Sequence, residues 1–200
     1  MKTLDKNYWK NRWQRGETEW DAHAPTTPIK DFVDYLAAQK VDKNLRILIP
    51  GAGSGHEAKY LLEQGFENIV VLDWAEEAIE KCRRQMPQLP DSQLIVGNFF
   101  ELKGAFDLIL EQTFFCALDP KWRPDYATKC FDLLNTEGSV AGVLFGKIFP
   151  FDGPPFGGSE EEYRGYFEPL FTIEKMESCR NSIKPRQGNE LWIQLKKRVG

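Results

Sequence analysis

The sequence predicts an α/β fold: a doubly wound parallel sheet that ends in an antiparallel hairpin. Three observations carry this. Short apolar runs alternate with helix-period segments over residues 45–145, the pattern of βαβ units with helices on both faces. The first run breaks into Gly51-Ala52-Gly53-Ser54-Gly55 and then a helical stretch, the sharp βα turn that such sheets place at a ligand crevice. The last two strand-like segments are joined only by a tight connection around residues 185–188, so they pair antiparallel.

Thr27-Pro28 opens the first apolar helix, with proline at the first helical position. Ile29, Phe32, Val33 and Leu36 recur at i, i+3, i+4 and i+7 and give it one apolar face. Residues 45–50 form a nearly continuous apolar run, typical of a buried strand. After the glycines a helix runs to about residue 64, with Ser54 and Glu57 spaced as a capping box. The second strand, 69–72, ends at Asp73, and a helix over 75–85 is closed by Met86-Pro87. Residues 93–96 and 106–110 are the next strands. Asp119-Pro120 opens a helix whose Trp122, Tyr126, Phe131 and Leu134 share a face, and 138–145 is the fifth strand. Residues 149–158 are too rich in proline and glycine for regular structure. A short helix over 160–167 precedes the final strands, 172–178 and 190–196. No repeat or linker marks a second domain, so residues 1–200 read as one.

Composition narrows the function. Twenty-six basic against thirty acidic side chains leave a formal charge of −4, so no basic excess points to nucleic acid. No run approaches the roughly 20 apolar residues of a spanning helix, and the amino terminus has no signal-like apolar core. Cys82, Cys116, Cys130 and Cys179 are widely separated; they read as reduced structural thiols of a cytoplasmic protein, with no metal-ligand spacing. Three of the six tryptophans, Trp9, Trp13 and Trp20, crowd the first twenty residues.

Asp73 lies about 20 residues after the glycine loop, where a carboxylate accepts both ribose hydroxyls of an adenosine. Its other reading is a cap for the following helix. The loop reads GxGxG, not the GxGxxG of dinucleotide binders, and His56-Glu57 stand where the helix begins. A carboxylate there repels a diphosphate but not a zwitterionic amino-acid tail. With the antiparallel last hairpin, this favours S-adenosyl-L-methionine.

The chain also resembles a known group, the thiopurine S-methyltransferase family, and especially its plant-type halide and thiol methyltransferase branch. The matching stretches are Trp9-x3-Trp13-x6-Trp20-Asp21 with Thr27-Pro28; Ile49-Pro50-Gly51-x-Gly53-x-Gly55-His56-Glu57; Val71-Leu72-Asp73; Gly97-Asn98-Phe99-Phe100; Phe106-Asp107-Leu108-Ile109 running on to Phe114-Phe115-Cys116-Ala117-Leu118-x-Pro120-x2-Arg123-Pro124; and Gly153-Pro154-Pro155-Phe156. The resemblance implies a Rossmann-like, seven-stranded methyltransferase sheet over residues 41–200 and an N-terminal helical lid over 1–40. It implies cofactor contacts from Trp9, Trp13, Gly51, Gly53, Asp73, Asn98 and Phe99, and a small-molecule substrate against Trp20 and Phe115, with Phe151 and Phe156 as secondary candidates. By position, Trp74 beside Asp73 and Glu111 at the end of the fourth strand are further cofactor candidates; their other readings are packing at the helix start and bonding of backbone in the crevice. One departure stands out: thiopurine enzymes carry an arginine after the acidic residue that follows the fourth strand, and here the pair is Glu111-Gln112. Without that charge, thiopurine-like anions lose a candidate partner.

The chemistry suits these residue types. Aromatic faces attract a sulfonium without competing as nucleophiles, and they strip water from a soft anion. A thiol of pKa about 8.5 is already partly ionised near neutral pH, so no dedicated base is required. The expected enzyme is therefore a methyltransferase acting on a thiol, hydrosulfide, halide or thiopurine-like acceptor; a monomer is the default expectation, which no residue pattern carries. An NAD(P)-dependent oxidoreductase and a non-catalytic S-adenosylmethionine-binding protein are the alternatives.

Overall fold

Ile47–Pro50 forms the central strand β1, and all four residues are buried because helices cover both faces of the sheet. In this computed structural model, which describes residues 4–199, β1 pairs in parallel with β2 (Ile69–Asp73) and β4 (Phe106–Gln112). Beyond β2 lies β3 (Leu94–Val96), and beyond β4 the long β5 (Leu134–Phe145), both parallel. The last two strands, β6 (Phe171–Ser178) and β7 (Glu190–Lys197), are antiparallel to each other, and β7 is antiparallel to β5. The order β3-β2-β1-β4-β5-β7-β6 is the expected seven-stranded sheet. It switches direction of winding between β1 and β4, which opens a crevice at their carboxyl ends.

Among the described residues five α-helices cover the sheet and a sixth lies outside it. On one face α2 (Thr27–Ala38), α3 (His56–Glu63) and α4 (Glu76–Gln85) bury Ile29, Val33, Leu61 and Ile79. On the other, α5 (Arg123–Leu133) and α6 (Glu160–Phe167) bury Tyr126, Cys130, Tyr163 and Phe167. The remaining helix, α1 (Lys6–Gln14), has no buried residue and rests on α4, where Gln14 Nε2 donates to Glu77 Oε1 at 2.8 Å.

Two expectations are corrected. Trp122 precedes α5 and is 45% exposed, and Leu134 opens β5 opposite Phe106. The buried stripe of the helix is Tyr126, Ala127, Cys130 and Leu133, a rotation fixed where the Tyr126 hydroxyl donates to Glu111 Oε2 at 2.7 Å. Ser54 does not cap α3. The N-cap is Gly55, in the left-handed region at φ 73°, and the Ser54 hydroxyl turns instead to Asp21 and Lys81. Among the described residues no helix is long and apolar enough to cross a membrane, and no cluster of three metal-ligating side chains occurs. The four cysteines are buried and unpaired.

Candidate active site

A cavity of about 740 Å3 opens at the carboxyl ends of β1, β2 and β4, within the range of small-molecule sites. Its floor is the glycine loop. Gly51 has φ +60°, and a Cβ there would lie 2.3 Å from the Phe114 ring, so glycine alone lets the strand turn under that ring. At Gly53 the nearest atom to an added Cβ is Trp20 Nε1 at 3.7 Å, so a single methyl group would bridge the bare loop and the indole. Asp73 ends β2 and borders the cavity, with Oδ2 accepting from the Gly53 amide at 3.0 Å and Oδ1 from the Ala75 amide at 2.9 Å. Burial pushes its carboxyl up, opposed by the Ala75, Gly53 and Trp74 amides.

The roof is the amino-terminal segment. Asp5 caps α1 through the Tyr8 amide at 2.9 Å, and the turn after the helix returns Trp20 beneath Trp9 and Trp13. Trp20 meets both edge-on, with ring centres at 5.5 and 6.2 Å. The Arg12 guanidinium lies 4.9 Å from the Trp20 ring and bonds the Glu17 carbonyl and the Glu19 carboxylate. It fixes the indole from above.

Trp9, Trp13, Gly51, Gly53, Asp73, Trp74, Asn98 and Phe99 all border this cavity, as does Trp20. Four predicted positions do not. Glu111 is fully buried with both oxygens taken: Oε1 accepts from the Phe114 and Phe115 amides at 2.8 and 2.9 Å, and Oε2 from Tyr126. It ties the end of β4 to the turn that follows. Phe115 is turned by the short 3-10 segment Phe115–Ala117 into the core, 5.1 Å from Tyr126 and 5.2 Å from Tyr163. Phe151 is half exposed and stacks on Phe149 at 5.2 Å. Phe156 is fastened through its backbone, its amide to the Cys116 carbonyl at 2.7 Å and its carbonyl to Arg123. The neighbours Phe114, Cys116, Pro154 and Pro155 are the ones that reach the wall.

The sequence reading missed Arg186. It sits in the connection between β6 and β7, is 9% exposed and borders the cavity. Nη2 donates to the Trp20 carbonyl at 2.9 Å, and Nη1 stands 3.6 Å from Glu190 Oε1 without a hydrogen bond. A positive charge thus borders the cavity from the connection between β6 and β7, in addition to those of Arg12 and Lys121. A lone arginine in a Lys-Pro-Arg turn carries no periodic or spacing signal that marks it.

The model of the thiopurine S-methyltransferase family matches residues 4–197 of this sequence. The chain belongs to that family. A probable thiol methyltransferase of Arabidopsis thaliana is 30% identical, over 94% of this chain and 84% of the relative. A thiocyanate methyltransferase of Brassica oleracea is 28% identical, over 98% and 87%. Among solved structures, a magnesium protoporphyrin IX methyltransferase of Synechocystis superposes with a TM-score of 0.74 at 12% identity, over 97% of this chain and 100% of that one; at that identity it speaks for the fold alone. The chain is thus an S-adenosylmethionine-dependent methyltransferase, and the oxidoreductase alternative falls. The cavity suits that donor: a cradle that a Cβ at Gly51 would disrupt, a carboxylate at the end of β2, and three indoles for a cation.

Proposed function

We propose that this methyltransferase acts on a small, soft nucleophile that is anionic when it reacts: a thiolate, hydrosulfide, halide, thiocyanate or thiopurine-like anion. Arg186 carries the proposal: its guanidinium, buried beside Glu190, borders a cavity rich in aromatic rings and holds the Trp20 carbonyl. The names of the plant relatives point the same way.

S-adenosylmethionine supplies a methyl group made electrophilic by its sulfonium. Gly51, Gly53, Asp73, Trp74, Asn98 and Phe99 would hold it, with Trp9 and Trp13 on the roof side and Trp20 toward the acceptor. The indoles exclude water and favour the cationic charge. Arg186 draws the anion in and orients it, so that transfer proceeds in line. No side chain acts as base. The bordering carboxylates are already engaged: Asp5 with the Tyr8 amide, Glu19 with Arg12, Asp73 with two amides and Asp119 with Lys121. Burial pushes the Cys116 thiol far above its usual range, which keeps it protonated and unreactive. Four buried, unpaired cysteines suit a reducing compartment, and we place the enzyme in the cytoplasm as a monomer.

The test is S-adenosylhomocysteine release with iodide, hydrosulfide, thiocyanate, aliphatic thiols and thiopurines, against amine and alcohol controls. Turnover with the soft anions and none with the controls is expected, and Arg186→Gln should raise KM for anionic acceptors about tenfold or more through a lost charged hydrogen bond. Cofactor binding with no turnover on any acceptor would identify a non-catalytic binding protein instead.

A further inference from the structure

A polar cluster at the base of the lid has no part in the chemistry above. Asp21 directly follows Trp20, and its side chain is 2% exposed, outside the large cavity. Its carboxylate accepts from the Ser54 hydroxyl of the glycine loop, from His56 Nε2 at the start of α3 at 2.7 Å, and from the Lys81 ammonium of α4 at 3.3 Å. The His23 amide donates to it as well, at 2.7 Å. Lys81 also donates to Ser54 Oγ at 2.7 Å and stands 5.7 Å from the Trp13 ring. Burial alone would raise the Asp21 carboxyl, but Ser54, the His23 amide and His56 hold it well below the usual carboxylate range. The carbonyl on the other side of this junction, that of Trp20, is held by Arg186.

No residue of α1 is fully buried, so residues 5–21 rest on the partly buried indoles and on polar contacts, without a core of their own. Charge-assisted hydrogen bonds to a buried carboxylate are the strong kind. We propose that Asp21 is a positioning residue, a latch that joins the lid to the glycine loop, α3 and α4 and so sets Trp20 over the cavity. The cofactor loop and the lid are thereby one unit. Whatever orders Gly53 and Ser54 also closes the roof, and product leaves when the latch opens.

This rests on the cavity being the methyl-transfer site, and the experiment separates the two. Two variants break the latch from opposite sides: Asp21→Asn in the lid, and the double variant Ser54→Ala with Lys81→Met in the body, neither of which borders the large cavity. Both should raise KM for S-adenosylmethionine and the dissociation rate of S-adenosylhomocysteine about tenfold, with kcat at saturating cofactor falling much less. Tryptic cleavage after Arg12 and Arg15 of the ligand-free protein should quicken by a similar factor, while the urea midpoint of the sheet stays in place. Lys59→Met, an exposed charge removal on α3, should change none of these. The proposal is overturned if both variants keep wild-type cofactor KM and cleavage rate, or if the urea midpoint falls in step with them, which would make Asp21 merely structural. If wild-type protein binds no S-adenosylhomocysteine, the site assignment fails, and cleavage of the ligand-free lid still decides the latch.

Discussion

The floor and the roof of the cavity are built by different physics. The floor hangs from β1, β2 and β4, in which every residue but Asp73 and Asp107 is buried, and its turns are pinned by glycine and by Glu111. The roof has no buried residue in its helix and stands on edge-to-face indoles, the Arg12 fork and the Asp21 cluster. Two helices within the first forty residues show the same contrast: α2 buries Ile29 and Val33 completely, whereas α1 buries no residue completely. Under the latch proposed above, ligand enters by opening of the roof and the core stays undisturbed. Damage to the floor should cost stability, and damage to the roof should cost affinity.

The largest effect is expected from Gly51→Ala. A left-handed residue and a 2.3 Å clash with Phe114 together cost about 2–5 kcal/mol of stability, read as a lower urea midpoint with cofactor binding lost. Next comes Glu111, where burial raises the carboxyl from 4.5 to about 7 against the donors from Tyr126, Phe115 and Phe114. The folded protein keeps this proton between those values and the unfolded chain does not, so its contribution makes stability fall as pH rises from 4.5 to about 7. Denaturant titrations across that window should show the slope in wild type and a flatter one in Glu111→Gln; identical slopes would reject the assignment. Asp73→Ala should weaken cofactor binding by about 1–3 kcal/mol in calorimetry, and unchanged affinity would move the cofactor elsewhere. The smallest effect on folding is expected from Trp9→Ala: under about 0.5 kcal/mol in the urea midpoint, but about 0.5–2 kcal/mol in cofactor affinity. A stability loss larger than the affinity loss would erase the distinction between roof and floor.

Much of the floor was legible in the sequence because it is local. Gly51, Gly53 and Asp73 announce a turn and an acidic strand end by their own spacing, and the tryptophans mark the roof by their clustering. Side-chain direction within the turn after β4 was not legible. Phe114 and Phe115 are adjacent, yet one faces the cavity and the other the core, because Glu111 captures both backbone amides and sets the turn. The same applies to Phe156, which the backbone anchors to Cys116 and Arg123 while the two prolines before it form the wall.

The sequence by itself determined the alternation of strands and helices, the antiparallel close of the sheet and the place of the cofactor loop. Those follow from periodicity, turn chemistry and connection length, which act over a few residues. Tertiary structure alone decided which charges meet. Arg186 reaches Trp20 across 166 positions and Asp21 reaches Ser54, His56 and Lys81 across 33, 35 and 60. Pairings at such separations leave no local pattern, and only the folded sheet brings them to one crevice.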